Sequence, residues 1–418
     1  MLTAHNGAGM SLATTVVLLF CVATGVALLS RPLRIPYTVG LVAVGLALGA
    51  MRAISVPHLT KELLYAAFLP GLLFEAAFHL DARRFWNNKL TILSLSVPGV
   101  ILAIGFTAGT LVAASRELQL PAGFGWAPAL VFGAVVSATD PVSVVALFKT
   151  LGAPARLRFV IEGESLVNDG TSIVFYAIAV GIAMGSAFSA ARAAIEFVRV
   201  VGVGVLVGAA VGFAISTVIA RLNEPVIEIT LTVIAAYGSF ILAEQFRVSG
   251  VLATVTAGML CGSYGAPRGM SPATRIAVES FWGYFAYALN SIVFLLIGLQ
   301  VRVTSLIESW EPIAVAYVVM TLARTIVVFL VTGLLRRTRE RVPWSWGLIL
   351  TWGGLRGALS MVLALALSDD FPSRPLVVRA TFGVVILSIL VNGLTAGPLL
   401  RLLGLAGIAN GEAGYARE

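Results

Sequence analysis

Charge is what this sequence has least of. Only 28 Lys+Arg and 20 Asp+Glu occur among 418 residues, 11% of the chain, where an ordinary soluble domain carries about 25%. With 59% hydrophobic residues and a mean hydropathy of +0.97, that scarcity excludes a soluble globular fold and excludes disorder as well. Cysteine is nearly absent. Cys21 and Cys261 both fall in apolar blocks, which leaves no disulfide framework, paired-thiol redox motif or zinc signature. The three histidines, His5, His58 and His79, are scattered, which argues against a His-based metal cluster. No Gly-rich loop ending in Gly-Lys-Ser/Thr is present and no loop has room for a soluble nucleotide-hydrolysing module. The chain is therefore read as no enzyme and as using no cofactor, and any pumping must draw on an ion gradient or on another subunit. The stretch after Leu400 is read as a short Gly/Ala-containing tail with no large regulatory domain.

What is present is a series of apolar blocks of about 20 residues, the length that crosses a roughly 30 Å hydrocarbon layer at 1.5 Å per helical residue. Thirteen windows emerge: 10 to 30, 37 to 54, 62 to 80, 91 to 114, 125 to 148, 159 to 187, 196 to 220, 225 to 244, 248 to 265, 276 to 300, 312 to 335, 345 to 367 and 376 to 400. The first window has little basic flank before it and is read as a retained helix. An all-α polytopic membrane protein is the expected fold class.

The net charge of +8 raises the question of nucleic acid, and its placement answers it. Sorted to alternate sides of the windows, Lys and Arg separate 17 to 9. The richer side holds Arg31, Arg34, Arg83, Arg84, Lys89, Lys149, Arg156, Arg158, Arg221, Arg268, Arg275, Arg336, Arg337, Arg339, Arg341, Arg401 and Arg417; the poorer holds Arg52, Lys61, Arg116, Arg192, Arg199, Arg247, Arg302, Arg374 and Arg379. The richer side reads as cytoplasmic, with the N-terminus outside and the C-terminus inside. The positive balance is an orientation signal, not a nucleic-acid surface. Within Arg336-Arg337-Thr338-Arg339-Glu340-Arg341, binding of anionic lipid head groups stands as the alternative to a purely topogenic use.

Two basic residues, Arg324 and Arg356, remain inside apolar windows, where a charge without a partner costs several kcal/mol. The acids at the same depth are Glu75, Asp140, Glu162, Glu164 and Asp169, with Glu228 and Glu279 as further candidates. In Val136-Ser137-Ala138-Thr139-Asp140-Pro141 the proline removes a donor and restrains Asp140, so a helix break that frees carbonyls is expected. The plainer reading is a proline kink capped by Asp140. In Glu162-Gly163-Glu164-Ser165-Leu166-Val167-Asn168-Asp169-Gly170-Thr171-Ser172, helical spacing puts Ser165, Asp169 and Ser172 on one face. Asp169 is expected to face a cavity, and Glu164, one residue off that face, a buried cation such as Arg324. The plainer reading leaves Glu162 and Glu164 in a loop and Asp169 in packing. In Thr351-Trp352-Gly353-Gly354-Leu355-Arg356-Gly357-Ala358, three glycines around an arginine weaken a second helix, and Arg356 would balance either Asp140 or opposing helix termini. Glu75 either lines a funnel or bridges subunits, and Asn290 serves either an interhelical hydrogen bond or transport. Cys21, Cys261, His79 and Trp282 are read as packing or interface residues.

The two broken windows lie seven apart, which reverses their orientation as an inverted repeat does. In order and spacing, Ala138-Thr139-Asp140-Pro141, Gly163-Glu164-Ser165-Leu166-Val167-Asn168-Asp169-Gly170 and Gly353-Gly354-Leu355-Arg356-Gly357 resemble the sodium/proton exchangers of NhaP and NHE type over nearly the whole chain. The resemblance implies a homodimer of thirteen-span protomers in the cell membrane, each with two crossed, partly unwound helices. It implies a dimerisation part (10–80 and 196–300) and a mobile core (91–187 and 312–400), followed by a short tail (401–418). Asp169 would bind cation and proton in turn, with Asp140, Thr139 and Ser165 completing the site and Glu75 reaching it. Asn168 would be the neighbour characteristic of electroneutral members, Glu164 would pair with Arg324, and Arg356 would stabilise the crossing. The expected cargo is Na+ or Li+, or K+, against H+, one for one. The rival classes are a cation channel and an ion-regulated membrane scaffold. A channel would call for a repeated carbonyl filter, of which the sequence has no sign.

Overall fold

The computed structural model describes residues 12–33, 35–51, 63–119, 123–186, 188–301, 303–371 and 373–407. Arg34, Arg52, Lys61, Arg302 and Arg417, with His5 and His58, lie outside the described residues, as does the tail beyond residue 407.

Every regular element among the described residues is helical. Helices α1 (Leu12–Leu33) and α2 (Tyr37–Ala50) are followed by a π-helical turn, Leu63–Phe68, leading into α3 (Leu69–Phe78). A short α4 (Ala82–Asn87) precedes α5 (Lys89–Ser96) and α6 (Pro98–Glu117), which form one apolar rod from Lys89 to Glu117. Next come α7 (Trp126–Val135) and α8 (Val142–Thr150), then the long α9 (Ala155–Ala183), α10 (Ala190–Ile219) and α11 (Pro225–Gln245). α12 (Gly250–Leu260) passes through a second π turn, Cys261–Gly265, into α13 (Ala266–Gly269), and α14 (Pro272–Gln300) follows. The last part holds α15 (Val303–Glu308), α16 (Trp310–Leu334), α17 (Trp344–Gly353), α18 (Ala358–Leu365), α19 (Arg374–Leu387), a third π turn at Ser388–Asn392, and α20 (Gly393–Leu402).

Local chemistry sets the helix starts. Proline occupies the first turn of α3, α6, α11 and α14, where its missing N–H would have had no partner. Asp81, Ser189, Ser249 and Ser271 cap α4, α10, α12 and α14 by accepting a backbone N–H three residues on. These caps explain where helices and apolar windows disagree. α10 begins at residue 190 and not 196, because Ser189 starts a polar first turn carrying Arg192 that a hydropathy window passes over.

Among the described residues seven helices are long and apolar enough to cross a membrane, and eight if the pair α17–α18, bent by 48°, counts as one span. Shorter apolar helices lie at Thr14–Ser30, Tyr37–Ala50, Leu64–Phe78 and Trp126–Val135. The chain is an all-α polytopic membrane fold.

The helices pack as two groups. In the first, α2 lies along α14, and α10, α11 and α12 pack with one another, α11 and α12 also meeting α3. Small residues let the backbones meet there: a side chain at Gly208 of α10 would strike the Ala253 carbonyl of α12, and one at Gly45 the backbone of α14 at Gly298, 2.9 Å away. In the second group α6, α7 and α9 pack together, with α5 on α9, while α16 contacts α6, α17 and α19. Trp282, fully buried, donates its indole N–H to Thr232 Oγ1 at 2.9 Å within the first group, as a packing residue should.

Candidate functional site

The first helix break follows from Pro141. α7 stops at Val135, residues 136–141 are not helical, and α8 resumes at Val142. Asp140 caps the restart, its Oδ1 accepting the Val142 N–H at 3.1 Å. The plain capping role and a cavity role coexist, because Asp140 also lines the central cavity described below. The second break lies at residues 354–357, between α17 and α18.

The two breaks touch. The Asp140 N–H donates to the Leu355 carbonyl at 2.8 Å, so a donor freed from one helix meets an acceptor freed from the other. Arg356, 3% exposed, does not pair with Asp140. Its Nη1 donates to the Ala138 carbonyl at 3.3 Å, just beyond the C-terminus of α7, and its Nε lies 3.1 Å from Met320 Sδ. Of the two partners expected for Arg356, the opposing helix terminus is the one found, where carbonyls concentrate negative charge.

Two residues in the third π turn complete the second break, and both escaped the sequence reading. Ser388 Oγ accepts the Arg356 N–H at 3.0 Å, and Asn392 Nδ2 donates to the Trp352 carbonyl at 3.3 Å. Their signal was present: a serine and an asparagine four apart in an otherwise apolar run, Ser388-Ile389-Leu390-Val391-Asn392.

α9 supplies the other wall. Glu162 and Glu164 are both helical, so the loop alternative falls away. Glu164, 2% exposed, takes Arg324 in a two-pronged ion pair, Nη1 to Oε1 and Nη2 to Oε2, each 2.9 Å. Ser165 Oγ donates to the Thr139 carbonyl. Asn168, fully buried, donates to the Ser137 carbonyl at 2.9 Å and to Thr139 Oγ1 at 3.1 Å, so α9 satisfies the backbone that the first break frees. Ser172 departs from the expected stripe. It donates to Asn168 Oδ1 at 2.7 Å and does not line the cavity. On a helix it stands nearer in angle to Asn168, four residues back, than to Asp169, three back.

Asp169 and Ser165 face a cavity of about 300 Å3 between the two helix groups. Thr139, Asp140 and Glu162 line it from the same group; Glu75 and His79 of the α3 segment and Asn290 of α14 line it from the other. Asp169 Oδ1 is buried and has no hydrogen-bond partner among the described residues. His79, expected to be a packing or interface residue, lines the cavity; its Nδ1 is 2.9 Å from the Glu75 carbonyl and 3.4 Å from Glu75 Oε1. Glu228 and Glu279 do not join this site. Glu228 caps α11 through the Glu224 N–H, and Glu279 pairs with Arg275 at 2.8 Å. Among the described residues no group of three or more His, Cys, Asp or Glu has metal-binding geometry.

The arrangement is a buried carboxylate with an unused oxygen, flanked by hydroxyl and carbonyl oxygens and held in place by two interrupted helices. Such hard oxygen donors suit a small cation or a proton. Residues 16–402 match the family model described as sodium/hydrogen exchanger, transmembrane. The chain belongs to that family. The exchanger is 38% identical over 378 residues to the Na+/H+ antiporter ApNhaP of Aphanothece halophytica, covering 90% of this chain and 71% of the relative. It is 36% identical over 406 residues to the Na+/H+ antiporter NhaH of Halobacillus dabanensis, covering 93% and 97%. Among solved structures, the sodium proton antiporter MjNhaP1 from Methanocaldococcus jannaschii shares its fold, with a TM-score of 0.75 at 21% identity over 94% of this chain and 100% of that one.

Gly357 shows how tight the exchanger's crossing is. A side chain there would collide with the Asp140 carboxylate, which the Val142 cap holds in place. Gly357→Ala is expected to displace Asp140 and reduce exchange about tenfold or more, an effect of roughly 1–3 kcal/mol for overpacking. Initial rates of cation-driven pH change in vesicles check it; a wild-type rate would show that the break relaxes freely.

Proposed function

We propose that the cavity carboxylate Asp169 is the shared site of a coupled exchange, taking a monovalent cation and a proton in turn. The protein is a secondary active transporter that exchanges a monovalent cation for a proton, and no catalytic chemistry is involved. The observation that carries the site assignment is the buried, partnerless Asp169 Oδ1 inside an oxygen-lined cavity. A cation and a proton cannot both occupy that oxygen, so their competition couples the two fluxes without a separate relay.

Thr139, Ser165, Asp140 and Glu75 supply the remaining oxygens. Ser165 spends its proton on the Thr139 carbonyl, which leaves its lone pairs for the cation. Asn168, Glu164, Arg324 and Arg356 hold the frame and touch no cargo. Because Asn168 is uncharged, one titrating carboxylate serves each turnover, and exchange is one cation for one proton, insensitive to voltage. Na+ or Li+ is the cargo, with K+ as the alternative that cavity size leaves open.

The fold is read as thirteen spans, counting the shorter helices and each broken pair, with the N-terminus outside and the C-terminus cytoplasmic. The 17-to-9 division of basic residues supports that orientation. The touching breaks are the two crossed, partly unwound helices. The group of α2, α3, α10–α12 and α14 serves as scaffold and, through the exposed apolar face of α10 at Ile195, Val198 and Leu206, as the contact between two copies in the cell membrane. The group of α5–α9 and α16–α19 is the moving core, and the cavity lies between the two.

In proteoliposomes an outward cation gradient is expected to acidify the lumen and an inward one to alkalinise it, unchanged when the potential is clamped. The apparent KM for the cation should rise as pH falls on the same side, because protons then occupy Asp169. A cation current with no proton movement would instead mark a channel, and a KM independent of pH would remove the shared site.

A further inference from the structure

The segment between α16 and α17 is more ordered than its composition suggests. It presents Arg336, Arg337, Arg339 and Arg341, all exposed. Its single acid, Glu340, is 7% exposed and turned inward. The two carboxylate oxygens of Glu340 accept the backbone N–H groups of Leu90 at 3.2 Å and Thr91 at 2.8 Å, at the start of α5. From the other side Arg156 clamps the segment, donating to the Glu340 carbonyl at 3.0 Å, the Arg341 carbonyl at 3.1 Å and Asn88 Oδ1 at 2.8 Å. The segment is a fixed platform whose only carboxylate is spent on a helix N-terminus.

The same bonds bring the α4–α5 corner alongside, with Arg83, Arg84 and Lys89 exposed. Among the described residues none of these seven cations has an ion-pair partner. Asp81, the nearest acid in sequence, caps α4 through the Arg84 N–H. Two exposed tryptophans stand on the same rim: Lys89 Nζ lies 4.9 Å from the Trp86 ring, and the Arg336 guanidinium 4.2 Å from the Trp344 ring. Leu90 and Leu348 are exposed beside them. Unpaired cations bordering exposed tryptophan and leucine match the boundary between phosphate and acyl chain in a bilayer.

We propose that this face is a seat for anionic phospholipid, with arginine forks of the 336–341 segment holding headgroup phosphates and Trp86 and Trp344 resting at the acyl boundary. Guanidinium takes phosphate oxygens in parallel pairs, which a hydrated ammonium does not. The exposed apolar rim selects a lipid over a soluble anion. The seat is built into the exchanger's frame, since α5, which Glu340 caps, carries Ser96, whose hydroxyl bonds the Glu164 carbonyl at 3.0 Å. The proposal does not rest on the exchange reaction.

Native mass spectrometry of the full chain, with phosphatidylglycerol or phosphatidylcholine of matched acyl chains, tests it. The wild type is expected to retain phosphatidylglycerol about tenfold more than phosphatidylcholine, and R336Q/R337Q/R339Q/R341Q to lose most of that preference. If the fourfold variant does not fold, the charge reversal R337E is expected to weaken retention in the same direction. Equal retention of the two lipids by wild type, or undiminished preference in a folded variant, overturns the proposal. Displacement of the lipid by soluble glycerol phosphate at equal concentration would show a free-phosphate site and overturn it too. Retention is read without transport, so a failure here leaves the exchange reading untouched, and the reverse.

Discussion

Asp169→Asn is expected to abolish cation-driven proton movement in proteoliposomes while the chain remains folded. Asparagine keeps the size of the side chain and replaces a carboxylate whose buried Oδ1 has no partner among the described residues. It can neither carry the exchanged proton nor neutralise the cation. Losing a desolvated charge from such a contact costs about 2–5 kcal/mol, or roughly 30-fold to several thousandfold at 1.4 kcal/mol per decade. Asp140→Asn makes the informative contrast. Its amide oxygen can still accept the Val142 N–H, so the α8 cap survives and only the charge is removed. That variant is expected to retain more exchange than Asp169→Asn. Full exchange in Asp169→Asn would end the shared-carboxylate reading, and the reverse ranking of the two variants would move the site to Asp140.

The second large effect concerns folding. Arg324 and Glu164 are almost fully buried, and each guanidinium N–H of the pair meets a separate carboxylate oxygen at 2.9 Å. Arg324→Ala leaves the Glu164 charge without its partner, for which a loss of about 3–5 kcal/mol is expected. Arg324→Lys keeps the charge but not the fork and should fall between. Removing both charges, as Glu164→Met with Arg324→Met, is expected to recover much of the stability, because a buried pair replaced by apolar groups is often close to neutral. Thermal unfolding followed by size-exclusion chromatography of a fluorescently tagged chain reads all three variants against wild type. An Arg324→Ala variant as stable as wild type would show that water reaches Glu164 and that the pair is not structural.

Helix positions were legible in the sequence because hydrocarbon imposes one rule on every span, namely enough apolar residues in a row. The polar first turns of α9 and α10 were not, since a cap such as Ser189 acts through one hydrogen bond that hydropathy does not register. In the site, the exceptional residues stood out for a related reason: a charge or a proline in an apolar window is costly and therefore visible. That made Asp140, Glu164, Asp169, Arg324 and Arg356 readable. Which of them meet was only partly so. The Glu164–Arg324 pair agrees with the expectation and Arg356 took the helix-terminus partner of the two it was offered, whereas Ser172 turned to Asn168. Neutral partners were the hardest. Ser388 and Asn392 act on backbone atoms 32 and 40 residues away in the chain, and their polarity in an apolar run does not tell which atoms they meet. His79 was misjudged because its neighbour Glu75 admitted two readings.

The hydrogen bond from the Asp140 N–H to the Leu355 carbonyl has a consequence for solvent exchange. Residues outside regular helix ordinarily trade their amide hydrogens quickly, yet this amide is tied across the chain to a carbonyl 215 positions later in sequence, 355 less 140. Its deuteration should be slow, and slow to the same degree as that of the Arg356 amide, which Ser388 holds at 3.0 Å. If the two segments travel together during transport, neither amide should change its protection between cation-loaded and proton-loaded protein. Residues 138–141 and 354–357 would then be a silent pair of peptides through the exchange cycle.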